Sequence, residues 1–202
     1  MYNYILFDAD GTLLDTKKAS VMAAISAVKE LLGKDVTEDE IAFTFGIPTI
    51  EAGKALGLDK PEDYVNCVDK YYSLYSEKYN TVFEGAAEVL CALKEKNIIM
   101  GVITAKTDWE YHHDFEKLPI TKYFAGYVCA DDAPKPSKQA YDKFFEKYSL
   151  ANGKTLYVGD TVVDKQFAQN SGIDFALAAW GDCEDIAADI KLFSPNEILN
   201  LI

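Results

Sequence analysis

The chain has 202 residues, of which 49% are hydrophobic, and a formal net charge of −13. These values allow a sizeable packed core and exclude an intrinsically disordered chain. The acidic balance disfavours nucleic acid and anionic membrane surfaces as partners. The 20 lysine and arginine positions are all lysine. Because arginine is the usual bidentate ligand for a carboxylate or phosphate, recognition of such a group must use lysine, hydroxyls, backbone N–H groups or a metal.

The sequence also carries signals about the compartment. No apolar segment reaches the length of a membrane span, and the N-terminus lacks the basic region of a signal peptide. The spacing of the four cysteines is typical of neither a metal site nor a redox pair, and it predicts reduced thiols at Cys67, Cys91, Cys129 and Cys183. We therefore expect a cytoplasmic protein without a membrane partner.

The first predicted element is a short buried strand, the apolar run Tyr-Ile-Leu-Phe at residues 4–7, which is followed by Asp8-Ala9-Asp10-Gly11-Thr12. Alternate side chains of a strand point the same way, so Asp8 and Asp10 are expected to lie together. At about 4 Å and an effective dielectric constant near 20 they repel by roughly 4 kcal/mol, which a cation or a shared proton would relieve. The spacing does not fit an EF-hand loop. Because Asp, Gly and Thr are also ordinary loop and cap residues, partners downstream must decide the interpretation.

Residues 16–81 have helical patterns and no strand pattern. A segment of this length is far longer than a usual loop, so we predict a small all-helical domain at 16–81 and a core made of residues 1–15 and 82–202. Aromatic and apolar residues at helical spacing predict a packing stripe rather than a ligand site, and the stripe consists of Tyr64, Val68, Tyr71, Tyr72, Tyr75 and Tyr79.

From residue 82 onwards helical and strand patterns alternate, which predicts an α/β fold with a parallel sheet between helices. The predicted helices lie near 85–96, 108–117, 137–148 and 162–171, and the predicted strands lie near 98–103, 125–129, 155–159 and 174–179. Ligands of such sheets bind beyond the carboxyl ends of the strands. Polar residues at those ends are therefore the candidates for a functional site.

Thr104 and Lys135 are two such candidates. Thr104 follows the strand at 98–103, and its hydroxyl can donate to a phosphate oxygen, although a cap for the next helix is the alternative. Lys135 precedes Pro136, a residue type that suits the first helical turn. A helix N-terminus disfavours a lysine unless an anion is nearby. The alternatives for Lys135 are a solvated surface lysine, or Lys138 as the functional residue in its place.

The last candidates follow the strand at 155–159. Asp160 comes directly after Val-Gly at the end of that strand, and Asp164 follows four residues later. Asp164 could serve only to favour the N-terminus of the next helix. Four polar positions that recur in chain order at the ends of apolar runs nevertheless predict one site at one edge of the sheet.

This set of motifs resembles that of the haloacid dehalogenase-like superfamily of phosphohydrolases. The matching positions are Asp8-Ala9-Asp10-Gly11-Thr12, Thr104, Lys135 and Gly159-Asp160 with Asp164. The resemblance covers nearly the whole chain and is closest to the phosphoglycolate phosphatase and β-phosphoglucomutase branch. It implies a Rossmann-like three-layer core with a small helical cap inserted after the first motif.

The resemblance also implies a role for each matching residue. Asp8 is the nucleophile that becomes an aspartyl phosphate, and Asp10 is the general acid and base. Mg²⁺ is the implied cofactor, held by Asp8, the backbone carbonyl of Asp10 and Asp160. The residues implied to bind phosphate are Thr104, Ala105 and Lys135, and those implied to support the site are Asp164 and Thr12.

The same resemblance favours a small phosphorylated metabolite, such as phosphoglycolate or a sugar phosphate, because a closing cap selects small substrates. Members of the mutase type carry a histidine soon after the first motif and an arginine in the cap. Here that segment reads Thr16-Lys17-Lys18-Ala19-Ser20, and the chain has no arginine. A phosphatase is therefore favoured over a β-phosphoglucomutase-type isomerase. A non-enzymatic regulatory module phosphorylated on Asp8 is a third alternative, disfavoured by the order of the acids and by the inserted cap.

Overall fold

The computed structural model describes residues 1–44, 49–115, 117–151, 153–181 and 186–202. The chain divides into two compact units, Met1–Asp15 with Thr81–Ile202 and Thr16–Asn80. The strands of the described residues are β1 (Tyr4–Phe7), β2 (Leu14–Asp15), β3 (Thr81–Val82), β4 (Ile99–Ile103), β5 (Phe124–Val128), β6 (Thr155–Gly159), β7 (Asp174–Ala178) and β8 (Ile190–Leu192). The α-helices are α1 (Lys17–Leu32), α2 (Glu38–Ile41), α3 (Thr49–Ala55), α4 (Pro61–Tyr79), α5 (Ala86–Glu95), α6 (Asp108–Phe115), α7 (Lys138–Lys147) and α8 (Val162–Ser171).

The first unit is built on a six-stranded parallel sheet with the strand order β5-β4-β1-β6-β7-β8. Phe7 at the end of β1 pairs with Val102 on one side and Val158 on the other. The carboxyl ends of β1, β4 and β6 therefore lie side by side. The predicted α/β class with a parallel sheet is confirmed. The edge strand β8 was not predicted, because three residues are too few to show a pattern.

Strand β1 contributes alternate residues to the two faces of the sheet. Ile5 and Phe7 belong to one hydrophobic cluster, and Tyr4 and Leu6 belong to another. Both faces of the strand are buried, as is usual for a parallel sheet covered by helices. This double burial is the reason that the sequence shows a continuous apolar run here instead of an alternating pattern.

A two-stranded antiparallel ribbon lies in the same unit, where the chain leaves this unit and later returns to it. Leu14 of β2 pairs with Val82 of β3, and Asp15 pairs with Thr81. The expectation of helices alone over residues 16–81 is therefore wrong at Thr81. Strands of two residues give no periodicity that a sequence pattern could reveal.

The second unit consists of α1 to α4 and a short 3-10 turn at Ala42–Thr44. Its core packs alanines of α1 against aromatic residues of α4, among them Ala27 and Tyr64. Tyr64 and Tyr72 are buried, and the rings of Tyr71 and Tyr75 stack with their centroids 6.2 Å apart. The tyrosine stripe thus packs within this unit, as the helical spacing predicted.

Two further expectations concern thiols and membranes. Cys67, Cys91 and Cys129 are free cysteines, and Cys183 lies outside the described residues. Among the helices that the structure describes, none combines the length and the apolar composition needed to span a bilayer.

The contact between β4 and α7 yields a test of the packing. A Cβ atom built on Gly101 of β4 would lie 2.2 Å from Cζ of Phe144, which is fully buried on α7. We expect Gly101→Ala to lower the free energy of unfolding by about 1–3 kcal/mol, because the ring must shift. Urea unfolding measures this loss. Ala125→Val adds volume at an exposed position of the neighbouring strand and should change the value by less than about 0.5 kcal/mol. An equal loss in both variants would contradict the argument.

Candidate active site

The first motif folds back on itself directly after β1. Asp8 N donates to Val158 O at 2.9 Å, which extends the pairing with β6 by one residue. Beyond it, Leu14 N donates to Ala9 O at 2.9 Å and Gly11 N donates to Leu14 O at 2.8 Å. These backbone bonds fix the loop that carries Asp8 and Asp10, so the two carboxylates start from a rigid base.

Gly11 allows the carboxylate of Asp160 to lie against this loop. Its φ is +72°, and a Cβ atom there would lie 2.1 Å from Asp160 Oδ2. Thr12 Oγ1 donates to Asp160 Oδ1 at 3.0 Å. Trp180 Nε1 in turn donates to Thr12 O at 3.0 Å. The acid after β6 is therefore docked on the loop after β1, as the adjacency of the two strands requires.

Lys135 is buried between two carboxylates. Its Nζ lies 2.8 Å from Asp8 Oδ1 and 2.6 Å from Asp164 Oδ1, and the lysine side chain is only 3% exposed. Burial alone would lower the pKa of Lys135, but the charges of Asp164 and Asp8 outweigh it and raise that pKa. The lysine therefore carries its positive charge inside the site.

Asp164 is fully buried and saturated with donors. Oδ2 accepts from Thr161 Oγ1 at 2.6 Å, from Thr161 N at 2.9 Å and from Asp160 N at 3.2 Å. Oδ1 accepts from Lys135 and lies 3.2 Å from Tyr157 Oη. Asp164 thus forms the capping box of α8 and orients Lys135, so it combines the helix-start role with a contact in the site.

The clustering of acids shifts their proton affinities. Burial, together with the charge of Asp164, raises the pKa of Asp8 well above its ordinary value, against the opposing effect of Lys135. Burial and the charge of Asp164 likewise raise the pKa of Asp160 to about 7. One lysine is therefore not enough to neutralise the cluster, and the excess negative charge would favour a bound cation.

The acidic cluster has the composition and the size of a cation site. Asp8, Asp160 and Asp164 each offer a carboxylate oxygen, and these atoms lie within 4.8 Å of one another. Carboxylate oxygens are the ligands that Mg²⁺ prefers. Because both carboxylate oxygens of Asp164 already accept hydrogen bonds, Oδ1 from Lys135 and Oδ2 from Thr161, Asp8 and Asp160 are the members better suited to ligate a metal. The residues present thus fit a divalent cation of the Mg²⁺ type.

Comparison with known proteins identifies the family. The model for haloacid dehalogenase-like hydrolases matches residues 5–178. The chain belongs to this family. A phosphoglycolate phosphatase from Photobacterium profundum is 30% identical over 180 residues, which cover 82% of this chain and 78% of that protein. A pyrophosphatase PpaX from Oceanobacillus iheyensis is 25% identical over 87% of this chain and 83% of that protein.

Solved structures share the fold. A haloacid dehalogenase-like family hydrolase from Streptococcus pneumoniae has a TM-score of 0.86 and 24% sequence identity, and it covers 98% of this chain and 97% of that chain. The Rossmann-like core that the resemblance implied is therefore confirmed for this haloacid dehalogenase-like hydrolase.

In this hydrolase Thr104 lies at the carboxyl end of β4, next to β1. The residue is buried, and its Oγ1 accepts from Lys106 N at 3.2 Å, whereas Ala105 is exposed. The helix-cap alternative for Thr104 is wrong, since Thr107 caps α6. Thr107 Oγ1 accepts from Glu110 N at 3.2 Å, and Thr107 N donates to Glu110 Oε2 at 2.7 Å.

The alternatives for Lys135 can also be decided. Its burial contradicts a solvated surface lysine. Lys138 is exposed and pairs with Asp142 one turn along α7, so it takes no part in the cluster. The expectation that Pro136 lies in the first helical turn, with Lys135 at the helix N-terminus, is wrong, because α7 begins at Lys138 after its N-cap Ser137. The carboxylates rather than a helix terminus hold Lys135 in place.

Three further contributors were not predicted. Tyr157 Oη donates to Ile103 O at 2.8 Å and accepts from Lys135 Nζ at 3.3 Å, so it is a further hydrogen-bond partner of the lysine. Trp180 anchors Thr12, and Lys106 pairs with Asp10. A tyrosine within an apolar strand looks like an ordinary core residue. Of these three residues, Lys106 alone could have been found from the sequence, because it lies two residues after the candidate Thr104.

Proposed function

We propose that the chain is a Mg²⁺-dependent phosphatase, which hydrolyses a small phosphate monoester through an aspartyl phosphate on Asp8. The observation that carries the proposal is the contact of one buried lysine, Lys135, with Asp8 at the end of β1, beside the carboxylate of Asp160. This juxtaposition combines a nucleophile, a fixed positive charge and a cation site. Phosphoryl transfer depends mainly on such positioning and charge stabilisation.

In the first step a carboxylate oxygen of Asp8 attacks phosphorus while the bond to the ester oxygen breaks. Asp10 donates a proton to the leaving oxygen, so that an alcohol departs and Asp8 carries the phosphoryl group. Lys135 already contacts Asp8 and is placed to offset charge on the phosphoryl oxygens. The hydroxyl of Thr104 and the backbone N–H of Ala105 are the other proposed phosphate ligands.

In the second step a water molecule attacks the phosphorus of the aspartyl phosphate. Asp10, now ionised, takes a proton from this water, and the bond between phosphorus and the Asp8 oxygen breaks. Inorganic phosphate forms, and both aspartates return to their starting states. The same carboxyl group therefore serves as an acid in one step and as a base in the next.

The proposed metal ligands are the carboxylates of Asp8 and Asp160 and the backbone carbonyl of Asp10. When bound, Mg²⁺ supplies positive charge to the phosphoryl group. Thr12 orients Asp160 through its hydrogen bond, and Asp164 orients Lys135. Such supporting contacts commonly determine how well a ligand set binds its metal.

The proposed substrate is a small phosphorylated metabolite, and the reaction takes place in the cytoplasm without nucleic acid or membrane. The names of the relatives bring phosphoglycolate and pyrophosphate into consideration. An isomerase of the β-phosphoglucomutase type is the alternative, disfavoured because residues 16–20 contain no histidine and the chain contains no arginine.

Removal of the metal tests the proposal. We expect phosphate release from a panel of phosphoglycolate, sugar phosphates and pyrophosphate to fall by about 100-fold or more in a chelator, because metal charge stabilisation contributes several kcal/mol. Readdition of Mg²⁺ should restore the rate. Turnover that is unchanged in the chelator would contradict the metal role. Conversion of glucose 1-phosphate to glucose 6-phosphate without phosphate release would instead support the isomerase.

A further inference from the structure

A second buried lysine lies beside the proposed acid and base. Lys106 Nζ lies 3.0 Å from Asp10 Oδ1 and 2.6 Å from Asp114 Oδ2. The side chains of Lys106 and Asp114 are 6% and 1% exposed, whereas that of Asp10 is 40% exposed. The lysine therefore links a half-exposed carboxylate of the site to a fully buried one on α6.

Both ends of this link are fixed. Lys106 N donates to Thr104 Oγ1 at 3.2 Å, and Lys106 O accepts from Ala130 N at 2.8 Å. Asp114 lies in the last turn of α6, directly before Phe115, whose buried ring stacks on that of Tyr111 with centroids 4.8 Å apart and so fixes this turn of the helix. The ammonium group thus has little freedom to follow Asp10 if that side chain rotates.

The contact also orients Asp10. Its Oδ1 is buried and makes no hydrogen bond among the described residues, so its partner is the ammonium group of Lys106 in an ion pair at 3.0 Å, and the exposed part of the side chain carries the remaining oxygen. A general acid must present one carboxyl oxygen to the leaving group and hold it there. A misplacement of about 1 Å at such a position can reduce a rate by roughly 100-fold.

We infer that Lys106 is a positioning residue that holds Asp10 by Oδ1 and leaves the other oxygen for proton transfer, with Asp114 as its anchor. The inference rests on the proposed role of Asp10 as general acid. The competing explanation is that Lys106 and Asp114 form a buried ion pair that serves only the fold.

The leaving group separates these two explanations. An alkyl phosphate needs a proton on its leaving oxygen, whereas p-nitrophenyl phosphate releases a stable phenolate without one. For Lys106→Met we expect kcat/KM to fall by about 100-fold for an alkyl phosphate and by less than about fivefold for p-nitrophenyl phosphate. The value of kcat/KM reports on the formation of the aspartyl phosphate, the step in which the leaving group departs.

Two further variants protect the test from misfolding. Lys106→Met removes the ammonium group that the buried carboxylate of Asp114 contacts, so the double variant Lys106→Met/Asp114→Leu removes both charges. The double variant should keep the unequal loss between the two substrates. Lys138→Met removes an exposed lysine and is the matched control. Equal losses for both substrates, recovered in the double variant, would show a structural role and overturn the inference.

A measurement of stability, which does not depend on enzymatic activity, completes the experiment. In the Mg²⁺-free protein, Lys106→Met should lower the urea midpoint less when Asp10 is already asparagine, because the two side chains interact directly. Additive shifts would overturn the inference. Wild-type protein that releases phosphate from neither of these substrates nor from phosphoglycolate, sugar phosphates or pyrophosphate would refute the proposed function, and the urea comparison would still decide whether Lys106 holds Asp10.

Discussion

Asp8→Asn is expected to reduce phosphate release by at least about 1000-fold, because the amide is not a nucleophile and cannot form the aspartyl phosphate. The substitution keeps the size of the side chain and removes an ionisable group from a buried position. Burial already raises the pKa of the Asp8 carboxyl group, so its ionised form is costly there. The variant should therefore fold. Phosphate release measures the rate, and mass spectrometry of the acid-quenched wild-type enzyme identifies the residue that carries the phosphoryl group.

The matched control for this prediction is Asp142→Asn. Asp142 is an exposed carboxylate on α7 whose partner is Lys138, so it shares the chemistry of Asp8 but not its surroundings. Its loss should leave turnover within about twofold, as for most surface substitutions. Normal turnover in Asp8→Asn, or a phosphoryl group found on another residue, would refute the proposed nucleophile.

The meeting of Asp8 and Asp160 could be predicted because both follow strands of one parallel sheet. Once β1 and β6 are neighbours, their carboxyl ends must coincide, and the points where the short apolar runs stop are enough to locate those ends. The same reasoning located Thr104 after β4. Strands of four or five residues that are buried on both faces give a strong sequence signal, which explains why the core of the fold was predictable.

The lysine contacts were less predictable because they depend on side chains that cross between elements. The helix that follows Lys135 begins later than its proline suggested, since Ser137 provides the cap. The pair of Lys106 with Asp114 joins a loop to the far end of α6. No local sequence pattern predicts a contact between these two side chains. The burial of a lysine cannot be predicted until its partners are known.

Lys135→Met is expected to lower the free energy of unfolding by about 3–5 kcal/mol and to abolish turnover. The change leaves Asp8 and Asp164 buried without the positive charge that both contact. Urea unfolding and phosphate release measure the two effects separately. Lys138→Met, which removes an exposed lysine of the same length, should change the free energy of unfolding by less than about 0.5 kcal/mol.

A double variant distinguishes the charge from the packing of Lys135. Lys135→Met/Asp164→Asn removes one unpaired carboxylate, and its amide oxygen can still accept from Thr161 at the start of α8. We expect it to regain at least half of the lost stability and to remain inactive, because the phosphoryl group would still lack its lysine. If the double variant were as unstable as Lys135→Met, packing would explain the loss. If it were active, Lys135 would have no direct role in phosphoryl transfer.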